Sequence, residues 1–378
     1  MTNVSARLPQ FPWDRLKPYA AMADAHPGGR VDLSVGTPVD PTPQSARRAL
    51  AAAADAPGYP TTHGTGRLRD AAADWMRRAL GASVDPVSVL PLIGSKELVA
   101  GLPALLGLGV GAAVAYPAPA YPTYEIGALL CGASPVPVTD GQLLDRWIGA
   151  DEAPEELRLL WLNSPGNPHG RVHSARTLGE IVAWARARGV LVVADECYIS
   201  LGWEATEPVS VLHPDVCGGA HGGLLAVHSL SKRSNLAGYR SAFLAGDPAA
   251  VAQLLEVRKH AGMMMPAPVQ AATAAALDDD EHAAEQKERY RSRRLILRAA
   301  LEGAGFRIDH SEAGLYLWAS RVVDGQPQPC WDTVAHLADL GILVAPGAFY
   351  GPGGEHHVRV ALTATDERVA AAAARLGA

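Results

Sequence analysis

The chain of 378 residues contains little cysteine, and its four cysteines are far apart: Cys131, Cys197, Cys217 and Cys330. No two of them form a Cys-x-x-Cys pair, and no histidine stands at metal-ligand spacing from them. Both absences argue against a structural zinc site or a dithiol redox site. We therefore interpret the cysteines as reduced, mostly buried thiols and predict no metal site.

The sequence also lacks the features of export, of a membrane span and of nucleic-acid binding. Residues 1–14 contain two prolines and a tryptophan but no apolar core of a signal peptide. The apolar stretch 98–114 is interrupted by glycine and proline and falls short of a clean membrane span. The formal net charge is -6, the pI is about 6.1, and no long basic tract occurs. We expect a cytoplasmic protein whose partners include neither a membrane nor a nucleic acid.

The composition is that of a globular enzyme, with 48% apolar and 19% charged residues. The length suggests about two domains. Between residues 45 and 276, short apolar runs alternate with helical patterns, which is typical of βαβ units around a mostly parallel sheet. The patterns predict helices at 98–106, 175–188 and 248–260, and strands at 87–92, 112–116, 158–162, 190–194, 224–228 and 241–245. Residues 45–276 are therefore predicted to form a large α/β domain.

The rest of the chain predicts a smaller α+β domain. An acidic run at 278–281 is expected to begin a helix, and 285–301 reads as a long charged helix that links the two domains. Apolar runs at 315–319, 342–344 and 357–361 predict strands. We assign residues 277–378 to this small domain, together with residues 1–44, which include an N-terminal arm.

One stretch combines a lysine with several anion-binding side chains. Residues 224–227 predict a buried strand, so Ser229, Ser231 and Lys232 fall in the turn at its carboxyl end, where open α/β sheets bind ligands. A lysine forms a Schiff base when burial or a nearby cation lowers its pKa. The two serines and Arg240 can donate hydrogen bonds to a phosphate. The stretch suits a phosphorylated aldehyde, and its alternative interpretation is a solvated basic turn.

Two further turns offer partners for a pyridine ring. Asp195 follows the strand 190–194, where its carboxylate could hold a protonated ring nitrogen, although it could also be a structural cap. Tyr198 and Asn167 could donate to a phenolate oxygen on the ring. Taken singly, the tyrosine could instead pack in the core, and the asparagine could belong to a plain Asn-Pro turn.

Two motifs near other strand ends complete the candidate site. Gly94, Ser95 and Lys96 open a helix after a strand, so the helix N-terminus can bind an anion. Tyr121 follows the next strand and could stack on a flat ring. Each of the two motifs is weak alone, since a helix start or a surface turn has the same pattern.

Together, in chain order, these motifs resemble the fold-type I pyridoxal 5'-phosphate enzymes of the aspartate aminotransferase superfamily over essentially the whole chain. The resemblance is carried by Gly36-Thr37-Pro38, Tyr59 with Gly64 and Leu68-Arg69, Gly94-Ser95-Lys96, Tyr121, Asn167-Pro168-His169-Gly170, Asp195-Glu196-Cys197-Tyr198, Ser229-Leu230-Ser231-Lys232, Arg240 and His357-Val358-Arg359. It implies a large domain with a mostly parallel seven-stranded sheet between helices, a smaller α+β domain, and an active homodimer.

The resemblance also implies a role for each residue. Lys232 would be the covalent attachment point of the cofactor and the general acid/base, Asp195 would hold the pyridine nitrogen, and Asn167 and Tyr198 the phenolate oxygen. The phosphate would be held by Ser95, Ser229, Ser231, Arg240, the backbone of Gly94 to Lys96, and Tyr59 of the partner subunit. The substrate α-carboxylate would be bound by Arg359, with help from the backbone of Gly36 and from Asn167.

Within that superfamily, the chain is most similar to the actinobacterial succinyldiaminopimelate aminotransferases. The similarity is carried by the motifs at 8–14, 33–40, 231–240, 258–264, 314–318 and 349–352. It implies transfer from glutamate to N-succinyl-2-amino-6-oxopimelate in lysine and cell-wall precursor synthesis, with release of 2-oxoglutarate. Lys96, Arg233 and Lys259 are candidates for contacting a distal carboxylate.

Other functions stay open at this point. The substrate could be aspartate, an aromatic amino acid or LL-diaminopimelate. The same scaffold could act as a C–S β-lyase, or as a ligand-binding protein without turnover, although the intact set of Lys232, Asp195, Arg240 and Arg359 argues against the last.

Overall fold

The computed structural model describes residues 4–203 and 207–377. Residues 1–3 and 378 of the predicted small domain lie outside the described residues. Within the described part, no helix is long and apolar enough to cross a membrane.

The described elements follow the α/β order that the sequence pattern predicts. The helices are α1 (Lys17–Asp24), α2 (Gln44–Ala52), α3 (Gly66–Leu80), α4 (Ser95–Leu105), α5 (Thr123–Cys131), α6 (Ala175–Ala187), α7 (Pro214–Cys217), α8 (Leu230–Arg233), α9 (Pro248–Ala261), α10 (Ala267–Asp278), α11 (Asp280–Gly303), α12 (Cys330–Asp339) and α13 (Asp366–Leu376). The strands are β1 (Val31–Asp32), β2 (Val89–Ile93), β3 (Ala113–Pro117), β4 (Ser134–Val138), β5 (Leu157–Asn163), β6 (Leu191–Asp195), β7 (Leu224–Ser229), β8 (Ser241–Gly246), β9 (Phe306–Asp309), β10 (Tyr316–Val323), β11 (Gln326–Pro327), β12 (Ile342–Leu343), β13 (Ala345–Pro346) and β14 (Val358–Ala361).

The centre of the molecule is a seven-stranded sheet in the order β2-β8-β7-β6-β5-β3-β4. The pairings are parallel except those of β8, which runs antiparallel to both of its neighbours. The mostly parallel sheet is thereby confirmed, and six of its strands lie within a few residues of the predicted ranges. The pattern gave no signal for β4, because its Pro135 and Pro137 resemble a loop. Proline is tolerated there since β4 is an edge strand with one partner.

Both faces of this sheet are covered, which explains why its strands are continuous apolar runs. In β5, Leu160 and Leu162 belong to the apolar cluster on one face, whereas Leu159 and Trp161 belong to the cluster on the other. The alternation follows from the two-residue period of a strand. Helices α3, α6 and α10 contribute to the first cluster, and α4, α5 and α9 to the second.

A second apolar core surrounds the smaller sheet, in which β10 pairs with β9, β11 and β14, and β14 with β13. The N-terminal segment joins this core, because Val31 of β1 pairs with Ile342 of β12 in parallel. Predicted helix 285–301 lies within α11, and the acidic start is capped by Asp279, whose side chain accepts from the backbone N–H of His282. Because Tyr198 and Trp203 also pack in this core, the domain boundaries at 44/45 and 276/277 stay a prediction.

An ion-pair cluster fastens the N-terminal segment to α11 and α13. Arg293 donates to both carboxylate oxygens of Asp40 at 2.6 and 2.7 Å, and its Nε donates to Asp366 at 2.7 Å. Gln286 donates to the same Asp40 carboxylate at 2.8 Å. Although burial opposes ionisation, the bonds from Arg293 and Gln286 hold the pKa of Asp40 below its usual value. The segment that carries residues 34–40 is therefore fixed by charge as well as by strand pairing.

We predict that Arg293→Gln lowers the free energy of unfolding by about 3 kcal/mol, because it removes the guanidinium that pairs with the mostly buried Asp40 carboxylate. Urea denaturation measures the change. The matched control is Arg298→Gln on the same helix, whose pair with Glu302 is solvent-exposed and whose loss should cost about 0.5 kcal/mol or less. Equal effects of the two substitutions would contradict the structural role given to Arg293.

Candidate active site

The polar residues predicted as a site follow strand ends at one edge of the large sheet. Asp195 ends β6, Lys232 lies in α8 directly after β7, and Asn167 lies in the turn after β5. Gly94 follows β2, and Arg240 directly precedes the antiparallel β8, which places it at the same edge. The carboxyl ends of parallel strands form the usual ligand-binding edge of such sheets.

The Lys232 amine is mostly buried and contacts the N-terminal segment. Its Nζ donates a hydrogen bond to the carbonyl oxygen of Gly36. Burial lowers the pKa of Lys232, and the Arg359 and Arg240 cations lower it further, while Tyr316 and Cys197 act in the opposite direction. An amine with a lowered pKa loses its proton more readily and can then act as a base or a nucleophile.

Asp195 is a buried carboxylate with neutral partners. The Tyr124 hydroxyl donates to its Oδ2 at 2.8 Å, and the Cys197 N–H donates to its Oδ1 at 3.2 Å. Burial raises the pKa of Asp195 although these bonds oppose the rise. Within residues 4–203 and 207–377, no cation pairs with it. A cationic ring nitrogen would supply the missing charge, as the sequence predicts.

Asn163 holds the two neighbouring turns together, a function that the sequence did not reveal. Its Oδ1 accepts from the backbone N–H of Asn167 at 2.8 Å, and its Nδ2 donates to the carbonyl oxygens of Asp195 at 2.8 Å and Pro165 at 3.1 Å. These bonds place the Asn167 side chain and Asp195 on adjacent strand ends in a fixed relation. Because Asn163 ends an apolar strand, its polarity was the only available signal.

Arg359 of β14 is a guanidinium with only 4% of its surface exposed. It donates to the carbonyl oxygen of Ser34 at 2.8 Å and to Oδ1 of Asn167 at 3.1 Å. Its Nε has no hydrogen-bond partner, and the described chain gives it no carboxylate. A buried cation without an anion is costly unless a ligand supplies one, and a guanidinium suits a carboxylate in the paired geometry. These contacts are compatible with the carboxylate-binding role that the sequence predicts for Arg359, and that role stays a prediction.

Four tyrosines lie near these groups. Tyr198 is buried, and its hydroxyl shares a hydrogen bond of 3.3 Å with that of Tyr316. Tyr124 was missed as the partner of Asp195, although it lies in the same turn motif as Tyr121. The Tyr121 ring lies edge-on to that of Tyr124, with centroids 5.9 Å apart, and is half-buried. Tyr316 also lay in a noted motif, but its place beside Tyr198 arises from a contact over 118 residues of sequence.

The predicted phosphate-binding residues form two small groups. Gly94 has a φ of 82°, and a Cβ there would collide with the Arg240 guanidinium, so glycine lets the two approach. Ser95 and Lys96 are the first two residues of α4, with the Lys96 side chain exposed. Separately, the Ser229 hydroxyl accepts from the backbone N–H of Ser231 at 3.2 Å and caps α8.

Tyr59 is a predicted site residue whose side chain projects into solvent in the single chain. Its side chain is 95% exposed. The sequence assigned it to the site of a partner subunit, and that role stays a prediction. Within the described residues, no group of three or more histidine, cysteine, aspartate or glutamate side chains could hold a metal ion.

Behind the site lies a buried acid–base pair. Oε2 of Glu196 lies 3.4 Å from Nε2 of His228, and its Oε1 accepts from the Ser210 hydroxyl at 3.1 Å and the Val211 N–H at 2.8 Å. Burial raises the pKa of Glu196 to about 8 and lowers that of His228 to about 3. Both shifts favour the neutral forms of the two side chains. Glu196 and His228 directly follow Asp195 and precede Ser229 in the chain, respectively.

Comparison with known proteins supplies a family context. The family model for aminotransferase class I and II matches residues 29–376. The chain is 60% identical to the 4-dedimethylamino-4-oxo-anhydrotetracycline transaminase OxyQ of Streptomyces rimosus, over 98% of this chain and 99% of that protein. It is 59% identical to the probable aminotransferase Rv1178 of Mycobacterium tuberculosis, over 99% of this chain and 86% of the relative.

A similar solved structure is that of N-succinyldiaminopimelate aminotransferase from Mycobacterium tuberculosis. The two structures align with a TM-score of 0.84 and 28% identity, over 96% of this chain and 98% of the other. The similarity therefore includes both the large sheet and the smaller sheet.

We predict that Glu196→Gln flattens the pH dependence of stability. Glutamate ionises near pH 4.5 when unfolded and near pH 8 in the folded chain, so the native state binds the extra proton between these values. The stability contributed by Glu196 is complete below that window and is lost as the pH rises through it. Glutamine keeps the shape and has no proton to lose. Urea denaturation between about pH 5 and pH 8 should show a smaller loss of stability in the variant.

The control for this prediction is Glu180→Gln, which removes an exposed carboxylate that pairs with Arg176 at the surface. It should retain the pH dependence of the unsubstituted chain. If Glu196→Gln and Glu180→Gln gave the same slope, the buried proton assigned to Glu196 would be refuted.

Proposed function

The chain belongs to the aminotransferase class I and II family, and we propose that it transfers the amino group of glutamate to N-succinyl-2-amino-6-oxopimelate. The products are 2-oxoglutarate and N-succinyl-LL-2,6-diaminopimelate. Amino transfer itself and dependence on pyridoxal 5'-phosphate are properties of the family.

The residues of the site fit pyridoxal 5'-phosphate. Asp195 is a buried carboxylate without a cation among the described residues, which suits a protonated pyridine nitrogen. Gly94 leaves room for the Arg240 guanidinium at the start of α4, where N–H groups and a cation favour a phosphate. Lys232 has the lowered pKa that attachment to an aldehyde requires. We assign Asn167 and Tyr198 to the phenolate oxygen.

When bound, the cofactor supplies an electron sink that stabilises negative charge on the Cα atom of the substrate. Nζ of Lys232 takes the proton from the Cα atom of the amino donor and, in the second half-reaction, delivers a proton to the Cα atom of the acceptor. The carbonyl oxygen of Gly36 holds this amine in place. Asp195 keeps its negative charge next to the ring nitrogen. Tyr198 holds its proton, because burial and the neighbouring Tyr316 raise its pKa well above the ordinary value.

The observation that carries the proposal is the buried guanidinium of Arg359. Its hydrogen bonds to Ser34 and Asn167 fix it, and no carboxylate of the described residues pairs with it. It also lies close enough to Lys232 to lower the pKa of that amine. This arrangement favours a substrate with an α-carboxylate next to its amino or oxo carbon. Glutamate, 2-oxoglutarate and the succinylated oxopimelate all have one.

The succinylated substrate is supported by the motifs noted in the sequence and by the likeness to the solved N-succinyldiaminopimelate aminotransferase. Of the candidates for a distal carboxylate, Arg233 is held by Asp280 and the carbonyl oxygen of Ala276, and Lys259 by Glu256. Lys96 remains, exposed in the first turn of α4. A second candidate function is favoured by the 60% identity to OxyQ, whose acceptor is a polycyclic ketone by its name.

We further propose that the active form is a homodimer. Tyr59 is 95% exposed, whereas most of the other residues predicted to bind the cofactor lie at one edge of the large sheet. An exposed tyrosine at such a position suits the phosphate group of a partner subunit, where its hydroxyl can donate a hydrogen bond.

The substrate assignment is tested with purified chain loaded with pyridoxal phosphate and glutamate as donor. N-succinyl-2-amino-6-oxopimelate should be used with a kcat/KM about 100-fold above that of other acceptors. An acceptor that lacks the distal polar groups would leave the side chains that bind them without a partner. Release of 2-oxoglutarate measures the rate, and Lys232→Ala is the inactive control. Preference for the oxo-anhydrotetracycline would assign the second candidate function. Preference for oxaloacetate or aromatic oxo acids, or pyruvate release from cystathionine, would also contradict the proposal.

We predict that Arg359→Lys lowers kcat/KM for glutamate about 100-fold, since an ammonium loses one charge-assisted bond of the carboxylate pair, worth about 2–3 kcal/mol. Initial-rate kinetics should place most of the loss in KM. Arg298→Lys, at an exposed ion pair on α11, is the control and should retain the original constants. Unchanged KM in Arg359→Lys would exclude this residue as the carboxylate ligand.

A further inference from the structure

Tyr316 contacts both halves of the site. Its ring lies under the Arg359 guanidinium, with 3.8 Å between Cζ of the arginine and the ring centroid. Its hydroxyl bonds to that of Tyr198 at 3.3 Å. The side chain is almost fully buried, on β10, and β10 pairs directly with the strand of Arg359.

The hydroxyl end of Tyr316 also packs on the backbone that receives the lysine. A Cβ on Gly36 would lie 2.8 Å from Cζ of Tyr316 and closer still to its hydroxyl oxygen. The Gly36 carbonyl in turn accepts from Nζ of Lys232. Two short contacts therefore lead from the tyrosine to the amine.

We propose that Tyr316 is a positioning residue that joins carboxylate recognition to proton transfer. Its ring fixes the plane of the Arg359 guanidinium, and its hydroxyl fixes, through Gly36, where Nζ of Lys232 stands. This inference rests on the proposed function, in which Arg359 binds the substrate carboxylate and Lys232 transfers the proton. Loss of the Tyr316 ring should weaken carboxylate binding, whereas loss of its hydroxyl should impair proton transfer.

Electrostatics supports this separation. Burial opposes ionisation of Tyr316, but the nearby Arg359 and Lys232 cations outweigh it and lower its pKa. Conversely, Tyr316 raises the pKa of the Lys232 amine. Removal of the hydroxyl should therefore let the pKa of Lys232 fall further. Several titratable or charged groups interact electrostatically with Tyr316. They are Arg359 of β14, Lys232, Cys197, and the tyrosines Tyr121, Tyr198, Tyr290 and Tyr350.

The first variant is Tyr316→Phe, which keeps the ring and deletes the hydroxyl. We expect kcat with glutamate to fall about tenfold or more while KM changes by about twofold or less, because the amine is displaced and the carboxylate site is not. The pH midpoint of the lysine-bound cofactor absorbance should shift down, because the hydroxyl group that raises the pKa of the lysine nitrogen is gone.

The second variant, Tyr316→Leu, also removes the ring. It should add a rise of about tenfold in the dissociation constant of succinate, an unreactive dicarboxylate, because Arg359 loses its stacking surface. Succinate binding is measured from the absorbance change of the loaded enzyme and needs no turnover.

Tyr350→Phe is the matched control. Its ring also lies near the Arg359 guanidinium, at 4.9 Å, but its hydroxyl has no hydrogen-bond partner among the described residues. The absorbance midpoint should stay at its original pH. The inference is overturned if Tyr316→Phe leaves the midpoint in place, if Tyr350→Phe moves it equally, or if Tyr316→Phe acts on KM alone.

Failure of the proposed function would be recognised separately. A loaded chain that transfers no amino group from any amino acid would refute that function. Absorbance titration and succinate binding would still judge Tyr316, because neither measurement depends on catalysis or on the succinylated substrate.

Discussion

The site is organised around a guanidinium that is buried before its counter-ion arrives. The Arg359 guanidinium contacts a carbonyl oxygen, an amide oxygen and an aromatic face, and none of the three carries a full negative charge. Desolvation of a cation without an anion costs free energy that the surrounding fold must supply. In return, the arginine needs no rearrangement to receive a carboxylate. Arg359 joins strand β14 to the segment around Ser34 by a hydrogen bond. The tyrosine that stacks on it, Tyr316, also interacts with Lys232.

The mostly parallel sheet separates the residues of the site from the residues of the core. Apart from Tyr59, the side chains that we assign to the cofactor lie at a strand end or in the turn beside it, so short local segments can change without disturbing the core. The core itself consists of residues such as Leu160 and Trp161, whose alternation covers both faces. Behind it, burial favours the neutral forms of Glu196 and His228, which avoids a second uncompensated charge next to Asp195.

Much of the fold and site could be predicted because the signals are local. Lys232 and Asp195 each follow an apolar run that reads as a buried strand, and a polar residue at that place is visible in the sequence. Strand β4 gave no such signal, since its prolines are acceptable only at a sheet edge that the sequence does not show. The contacts of Tyr316 and Asn163 could not be predicted, because they depend on how strands that are distant in sequence come together. For the distal carboxylate, the sequence offered Lys96, Arg233 and Lys259 as candidates, but no local signal favoured one of them.

The chain order of the contacts has a consequence for how activity is acquired. Gly36 meets Lys232 across 196 residues of sequence, and Ser34 meets Arg359 across 325. Contacts of such separation form only after most of the intervening chain is ordered, because closing large loops is entropically expensive. A partly folded chain could complete the large sheet and still lack both the amine's acceptor and the arginine's support. Recovery of catalysis after denaturation is thus a stricter measure of native structure than recovery of helix content.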